Sequence, residues 1–178
     1  MVIKTLQSSD NSNDEVGRVL ADLTVVIEQE VQAFQSLLDT LLMQQTSILK
    51  GDTVLVSRSS DDVERIMAQT RVLEKTRRDK SVDLSRRFHA NDELTLTQII
   101  PLVEEKYAER LGEMKDILHE LSTKIRSTNK HNQRLLEHSL RFVDHCMRML
   151  VENRKAGVSY GPRGTVKAKE EPLYRGVV

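Results

Sequence analysis

Hydrophobic positions along this chain recur at alternating steps of three and four, the period of one helix face, over three long stretches. The first carries Val16, Leu20, Leu23, Ile27, Phe34, Leu37, Leu41 and Ile48, widened by Val31, Leu38 and Leu42. Two polar residues, Glu30 and Gln44, fall on this seam and interrupt it, so the helix is not a simple zipper. Ser12-Asn13-Asp14-Glu15 has the spacing of a capping box and predicts the start, while Lys50 and Gly51 predict the stop. The second stretch carries Val63, Ile66, Met67, Thr70, Leu73, Leu84 and Phe88, with Ser60 or Asp61 as its expected cap. Its middle is weaker, because Arg77 and Lys80 occupy the seam. A connector at 51–60 holds Val54, Leu55 and Val56, expected to tuck over the helix ends, and Asn91-Asp92 marks the next turn. Thr95 and Thr97 start a short helical turn through Ile100, with Pro101 expected at the first position of the third helix.

That third helix, read from Pro101 to about Glu152, is the most informative. Leu111, Met114, Leu118, Leu121, Ile125 and Thr128 form a narrow seam with one extra apolar position at Ile117. Past Leu135 the seam widens: Leu136, Leu140, Val143, Met147 and Leu150 join Leu135, Phe142, Cys146 and Met149. On a helical wheel these cover roughly 200°, about twice the stripe of an ordinary surface helix. The helix is expected to run ~78 Å against ~57 Å for the first, so its far end should overhang the bundle or pack on another molecule.

The pattern thus predicts an all-α fold, an elongated bundle of three long helices with coiled-coil-like antiparallel packing. Residues 1–12 read as a flexible N-terminus, 13–152 as the helical domain, and 153–178 as a flexible tail. The tail holds Gly157, Gly161, Gly164 and Gly176, with six basic residues against two glutamates, and too few apolar residues to offset the entropy of ordering.

Composition supports long solvent-washed helices. Charged residues are 30% of the chain, aromatics only 3%, and tryptophan is absent. The 27 basic and 27 acidic residues cancel, so bulk charge draws the chain neither to nucleic acid nor to an anionic membrane. The beginning lacks an apolar signal region, and the longest apolar run, 99–103, is far shorter than the ~20 residues a membrane span requires. The expected address is the cytoplasm, in keeping with one unpaired cysteine, Cys146.

Catalytic and metal chemistry finds little support. His131, His138 and His145 lie seven residues apart, which separates neighbours by ~10.5 Å along a helix, too far to share one ion. Cys146 and Ser139 have no activating base nearby in sequence, and Cys146 is expected to be a buried thiol. The segment 157–164 follows a helix and has no lysine-serine or lysine-threonine ending, so it is no phosphate loop. No cofactor is expected and no enzyme. Arg71, Lys75, Arg77, Arg78, Lys80, Arg86 and Arg87 form a basic run, yet Glu74, Asp79 and Asp83 interleave and only Phe88 offers a stacking surface. Met147 and Met149 sit in the over-wide arc, where flexible thioethers suit a surface that accepts a partner helix.

Asn129-Lys130-His131-Asn132-Gln133-Arg134-Leu135-Leu136 resembles the Asn-x-x-Asn-x-x-Leu-Leu signature of the FlgN family of flagellar export chaperones. Leu73-Glu74-Lys75-Thr76-Arg77 is similar to the family's Leu-Glu-x-x-Arg, and Tyr160-Gly161-Pro162-Arg163-Gly164 to its Tyr-Gly-x-x-Gly. The resemblance spans roughly residues 15–165. It implies a cytoplasmic chaperone that holds the terminal helical segment of hook-associated proteins, prevents premature assembly, and delivers them to the flagellar export apparatus. Carried over by position, Asn129, Asn132, Leu135, Leu136, Leu140, Phe142, Val143, Met147 and Leu150 become cargo-binding candidates. Tyr160, Gly161 and Gly164 become candidates for docking to the export gate or to cargo. Two other readings use the same residues: a structural coiled-coil protein whose arc pairs with itself as a homodimer, and a nucleic-acid-binding helical module using the Arg71–Arg87 run.

Overall fold

A computed structural model describes the backbone of residues 3–90, 92–156, 159–160 and 166–167, and the side chains of 15–90 and 92–152. The architecture is all-α, with three long helices and one short one: α1 (Ile3–Lys50), α2 (Thr53–Arg87), α3 (Leu96–Ile99) and α4 (Glu105–Ala156). A 3-10 turn, Ile100–Leu102, follows α3. The chain divides into two compact units, residues 1–135 and 136–178. In the second unit Ser159–Tyr160 and Val166–Lys167 pair antiparallel, Ser159 opposite Lys167 and Tyr160 opposite Val166. Of the segment expected to form a flexible tail, 153–156 belong to the end of α4, and the remainder apart from the two strands lies outside the described residues.

Three boundaries differ from those expected. Helix α1 begins at Ile3, so Ser12 lies inside it instead of capping it; no glycine or proline precedes Gly17 to stop the helix earlier. The connector at 51–60 shrinks to Gly51 and Asp52. Gly51, with φ +69°, closes α1: its N–H donates to Ile48 O (3.0 Å), and Asp52 N–H to Ser47 O (3.0 Å). Asp52 then caps α2, its Oδ1 accepting from Leu55 N–H at 3.0 Å, so Val54, Leu55 and Val56 belong to the first turn of α2. Pro101 lies in the 3-10 turn, and α4 starts only at Glu105, because Val103 is extended (φ −114°, ψ 164°). Pro101 also biases Ile100 away from helix, yet Ile100 is helical (φ −47°, ψ −48°) and the break comes at Val103.

The first unit is built around α1. Leu20, Leu23 and Ile27 pack with Leu84 of α2, Ile99 of α3, and Leu111 and Met114 of α4 into one apolar cluster. A second cluster joins Leu37 and Leu41 to Ile66, with Val63 and Ile125 at its edge. Helix α2 lies along one flank of α1, tied by Lys80–Asp22 (2.6 Å) and Arg87–Glu15 (2.7 Å). Residues 105–135 of α4 lie along the other flank, where Arg110 pairs with Glu28.

The two polar interruptions of the α1 seam each find a partner. Between the two clusters, Glu30 is 2% exposed and accepts from Arg77 Nε with both carboxylate oxygens (3.1 and 3.0 Å). Burial pushes the Glu30 carboxyl above its ordinary range, and the Arg77 charge and hydrogen bonds only partly offset that. Two heptads further on, Gln44 joins all three helices. Its Nε2 donates to Ser60 Oγ on α2 (3.0 Å), and its Oε1 accepts from Asn132 Nδ2 on α4 (3.1 Å). Asn132 Nδ2 also donates to Leu41 O at 2.8 Å.

Candidate functional site

In the first unit the seam of α4 is narrow. Leu111, Met114 and Leu121 are buried, Leu118 and Ile125 half-buried, and Ile117 is exposed on the outer side. The sequence of this part allows only one apolar stripe, and that stripe is turned onto α1 and α2.

In the second unit the same helix carries its apolar side chains in the open. Leu140 is 70% exposed, Phe142 69% and Leu150 65%, and Val143, Met147, Met149 and Val151 are exposed as well. Leu135, Leu136 and Cys146 are half-buried, so Cys146 is not the fully buried thiol that its heptad position predicts. Scattered apolar side chains on a surface need no explanation, but seven within twelve residues on one helical arc form a contiguous patch. The charges of this segment keep to the remaining arc. Arg148 pairs with Asp144 one turn earlier and its hydrogen bond holds the Asp144 carboxyl below the usual range. Arg141 Nε donates to Glu137 O at 3.3 Å. His138 and His145 are exposed beside them. Among the described residues, no group of three potential ligands converges to hold a metal ion.

The cargo-binding candidates therefore separate. Leu140, Phe142, Val143, Met147 and Leu150 share one exposed arc, Leu135 and Leu136 lie half-buried at its start, and Asn129 is exposed. Asn132 is not on that surface: it is 1% exposed and bonded to α1, because its position falls on the seam that faces Leu41 and Gln44. An asparagine in a helical signature reads equally as a contact or as an interhelical pin, and only the partner helix distinguishes them. For Tyr160 only the backbone pairing with Val166 is described, and Gly161 and Gly164 lie outside the described residues.

The basic run on α2 is largely engaged within the first unit. Arg77 pairs with Glu30, Lys80 with Asp22, Arg87 with Glu15 and Asp83, and Arg78 with Glu93 (3.2 Å). Phosphate binding by four of the seven cations would compete with these carboxylates.

The first unit is thus a bundle whose α2 cations are largely matched, and the second carries an open apolar arc on its helix. The FlgN protein family model matches residues 19–168. The chain belongs to the FlgN family. FlgN proteins are flagellar export chaperones for hook-associated proteins and are not enzymes. Comparison with curated proteins and with solved structures gave no match. No helix among the described residues is long and apolar enough to cross a membrane, and FlgN chaperones are cytoplasmic. Within the FlgN signatures, Arg77 and Asn132 turn inward, where they pin α2 and α4 to α1, whereas the leucines that follow Asn132 lead into the exposed arc.

Proposed function

We propose that this FlgN chaperone holds a terminal helical segment of its hook-associated cargo on the arc formed by Leu136, Leu140, Phe142, Val143, Met147 and Leu150. The observation that carries this reading is the exposure of a contiguous apolar surface on a helix with its charges confined to the opposite side. An amphipathic cargo helix laid there exchanges two wet apolar faces for one dry interface, which keeps the segment from assembling prematurely. Burying roughly 500 Å² at about 25 cal/mol/Å² gives a gross gain of about 12 kcal/mol. Lost translational and rotational freedom and ordering of the segment offset much of it. The net affinity is then moderate, which suits a cargo that must be released at the export apparatus in the cytoplasm.

Phe142→Asp is expected to abolish co-purification of the cargo while far-UV circular dichroism stays that of the wild type. Unchanged cargo binding by both this variant and Val143→Asp, at the centre of the arc, would remove the arc from the mechanism. We assign Tyr160, with Gly161 and Gly164, to docking at the export apparatus, because the Tyr-Gly-x-x-Gly segment follows the arc in sequence and contributes none of its apolar positions. Tyr160→Ala is expected to keep cargo binding and lose cargo secretion, measured as hook-associated protein in the culture supernatant. Loss of binding would place Tyr160 with the cargo instead.

A further inference from the structure

We infer that the exposed arc of α4 takes two client helices side by side, both from one hook-associated chain, instead of a single helix. The inference rests on the proposed cargo surface and concerns how many helices that surface holds. Taking Val143 as its centre, the arc runs from Met149 and Phe142 on one edge to Leu140 and Val151 on the other, and both edges are exposed. At 3.6 residues per turn it spans roughly 200°.

The first unit shows what an arc of this width requires. The buried positions of α1 also extend over roughly 200° of its wheel, from Ala33 and Ser47 on one side to Leu38 and Thr24 on the other. No single helix covers them. Helix α2 seals one flank, as the bonds from Ser60, Arg77 and Lys80 mark, and α4 seals the other, as Arg110 and Asn132 mark. The narrow seam of α4 before Leu135 carries no second stripe, and there Ile117 lies exposed with nothing beside it to match. One helix laid on the distal arc would cover about 100° and leave either the Phe142 edge or the Leu140 edge in water.

A second copy of this chain does not resolve the mismatch. Two identical arcs of roughly 200° facing one another each lose about half their width and leave the other half of both exposed. Two helices from one client close the surface completely, and their covalent connection makes the second docking event intramolecular, so both are gained for one loss of translational freedom. The outer borders fit neutral or polar client edges: Asp144, beyond Leu140, is already matched by Arg148, and His138 and His145 lie beyond Met149 and Phe142.

The test titrates the full-length hook-associated proteins of the source cell into three variants, Phe142→Ser at one edge, Leu140→Ser at the other and Val143→Asp at the centre. Circular dichroism checks that each keeps its helicity. Two-helix docking predicts that each edge variant weakens binding at least tenfold, and that hydrogen exchange in the wild-type complex protects two separate helical segments of the client. If one edge variant stays within twofold of wild type, or only one client segment is protected, a single helix binds and the inference is overturned while the cargo surface stands. If Val143→Asp also binds as wild type, the cargo surface itself is wrong. A complex that sediments with two copies of this chain per client, both arcs protected, overturns the inference in favour of self-pairing.

Discussion

Glu30 is a carboxylate where the three-four rhythm of α1 calls for an apolar residue, and its ionic partner, Arg77, comes from the corresponding flaw in α2. The side chain of Glu30 is 3% exposed and that of Arg77 32%, so removal of either leaves unequal consequences. Arg77→Ala strands a buried negative charge and is expected to lower stability by about 3 kcal/mol at pH 8. The cost shrinks at lower pH because Glu30 then takes up a proton. The double variant Glu30→Leu, Arg77→Leu is expected to recover most of the loss, read as the midpoint of urea unfolding. Burial raises the Glu30 carboxyl above its ordinary value of 4.5 despite Arg77, so the folded chain holds this proton more tightly than the unfolded chain. The contribution of Glu30 to stability is therefore complete below about 4.5 and is lost as pH rises through the elevated value. Glu30→Gln has no such proton, and its stability should decline less than that of wild type from pH 4.5 towards neutrality. Parallel pH profiles would remove the burial argument.

The long elements themselves were legible because apolar residues at helical spacing leave few alternatives. Their ends were less so, since an end depends on one or two backbone conformations. Gly51 was readable as a stop because glycine adopts positive φ without strain. The start of α2 at Asp52 was less legible, because Val54, Leu55 and Val56 read as apolar residues that tuck over the helix ends, whereas the Asp52 cap places them in the first turn. The end of α2 was legible near Phe88 from the Asn91-Asp92 turn that follows, but no glycine marks the residue that turns the chain. There His89 takes φ +54°, where glycine is usual, so that its N–H reaches Arg86 O (3.2 Å) and Ala90 N–H reaches Ser85 O (2.9 Å). His89→Gly is expected to raise stability by up to about 1 kcal/mol, and His89→Ile to lower it by about 1–2 kcal/mol. Chemical denaturation of both variants beside wild type measures the two shifts, and equal midpoints would mean that the left-handed turn carries no strain.

For the molecule as a whole, register is set less by the leucines than by the polar residues among them. Leucines slide past one another by a heptad at modest cost, but Gln44 meets Ser60 and Asn132 in only one alignment of α1, α2 and α4. Asn132→Ala leaves Gln44 Oε1 buried without its donor and is expected to cost about 1–3 kcal/mol. Cargo affinity should fall little, since Asn132 does not reach the exposed arc. A large loss of affinity with unchanged stability would return Asn132 to the binding surface. By itself the sequence determined the three helical stretches, the narrow-to-wide change of seam along α4 and the absence of membrane-spanning length, because each is a local property of residue spacing. It also marked Glu30, Gln44, Arg77 and Asn132 as exceptions, or as signature residues, without saying what they were for. Only the tertiary structure decided that Glu30 meets Arg77 and that Asn132 turns inward, since a buried polar group is stable only beside its partner and these partners lie 47 and 88 residues away. It decided too that the arc past Leu135 stays open, because burial belongs to neighbours that spacing along one helix cannot reveal.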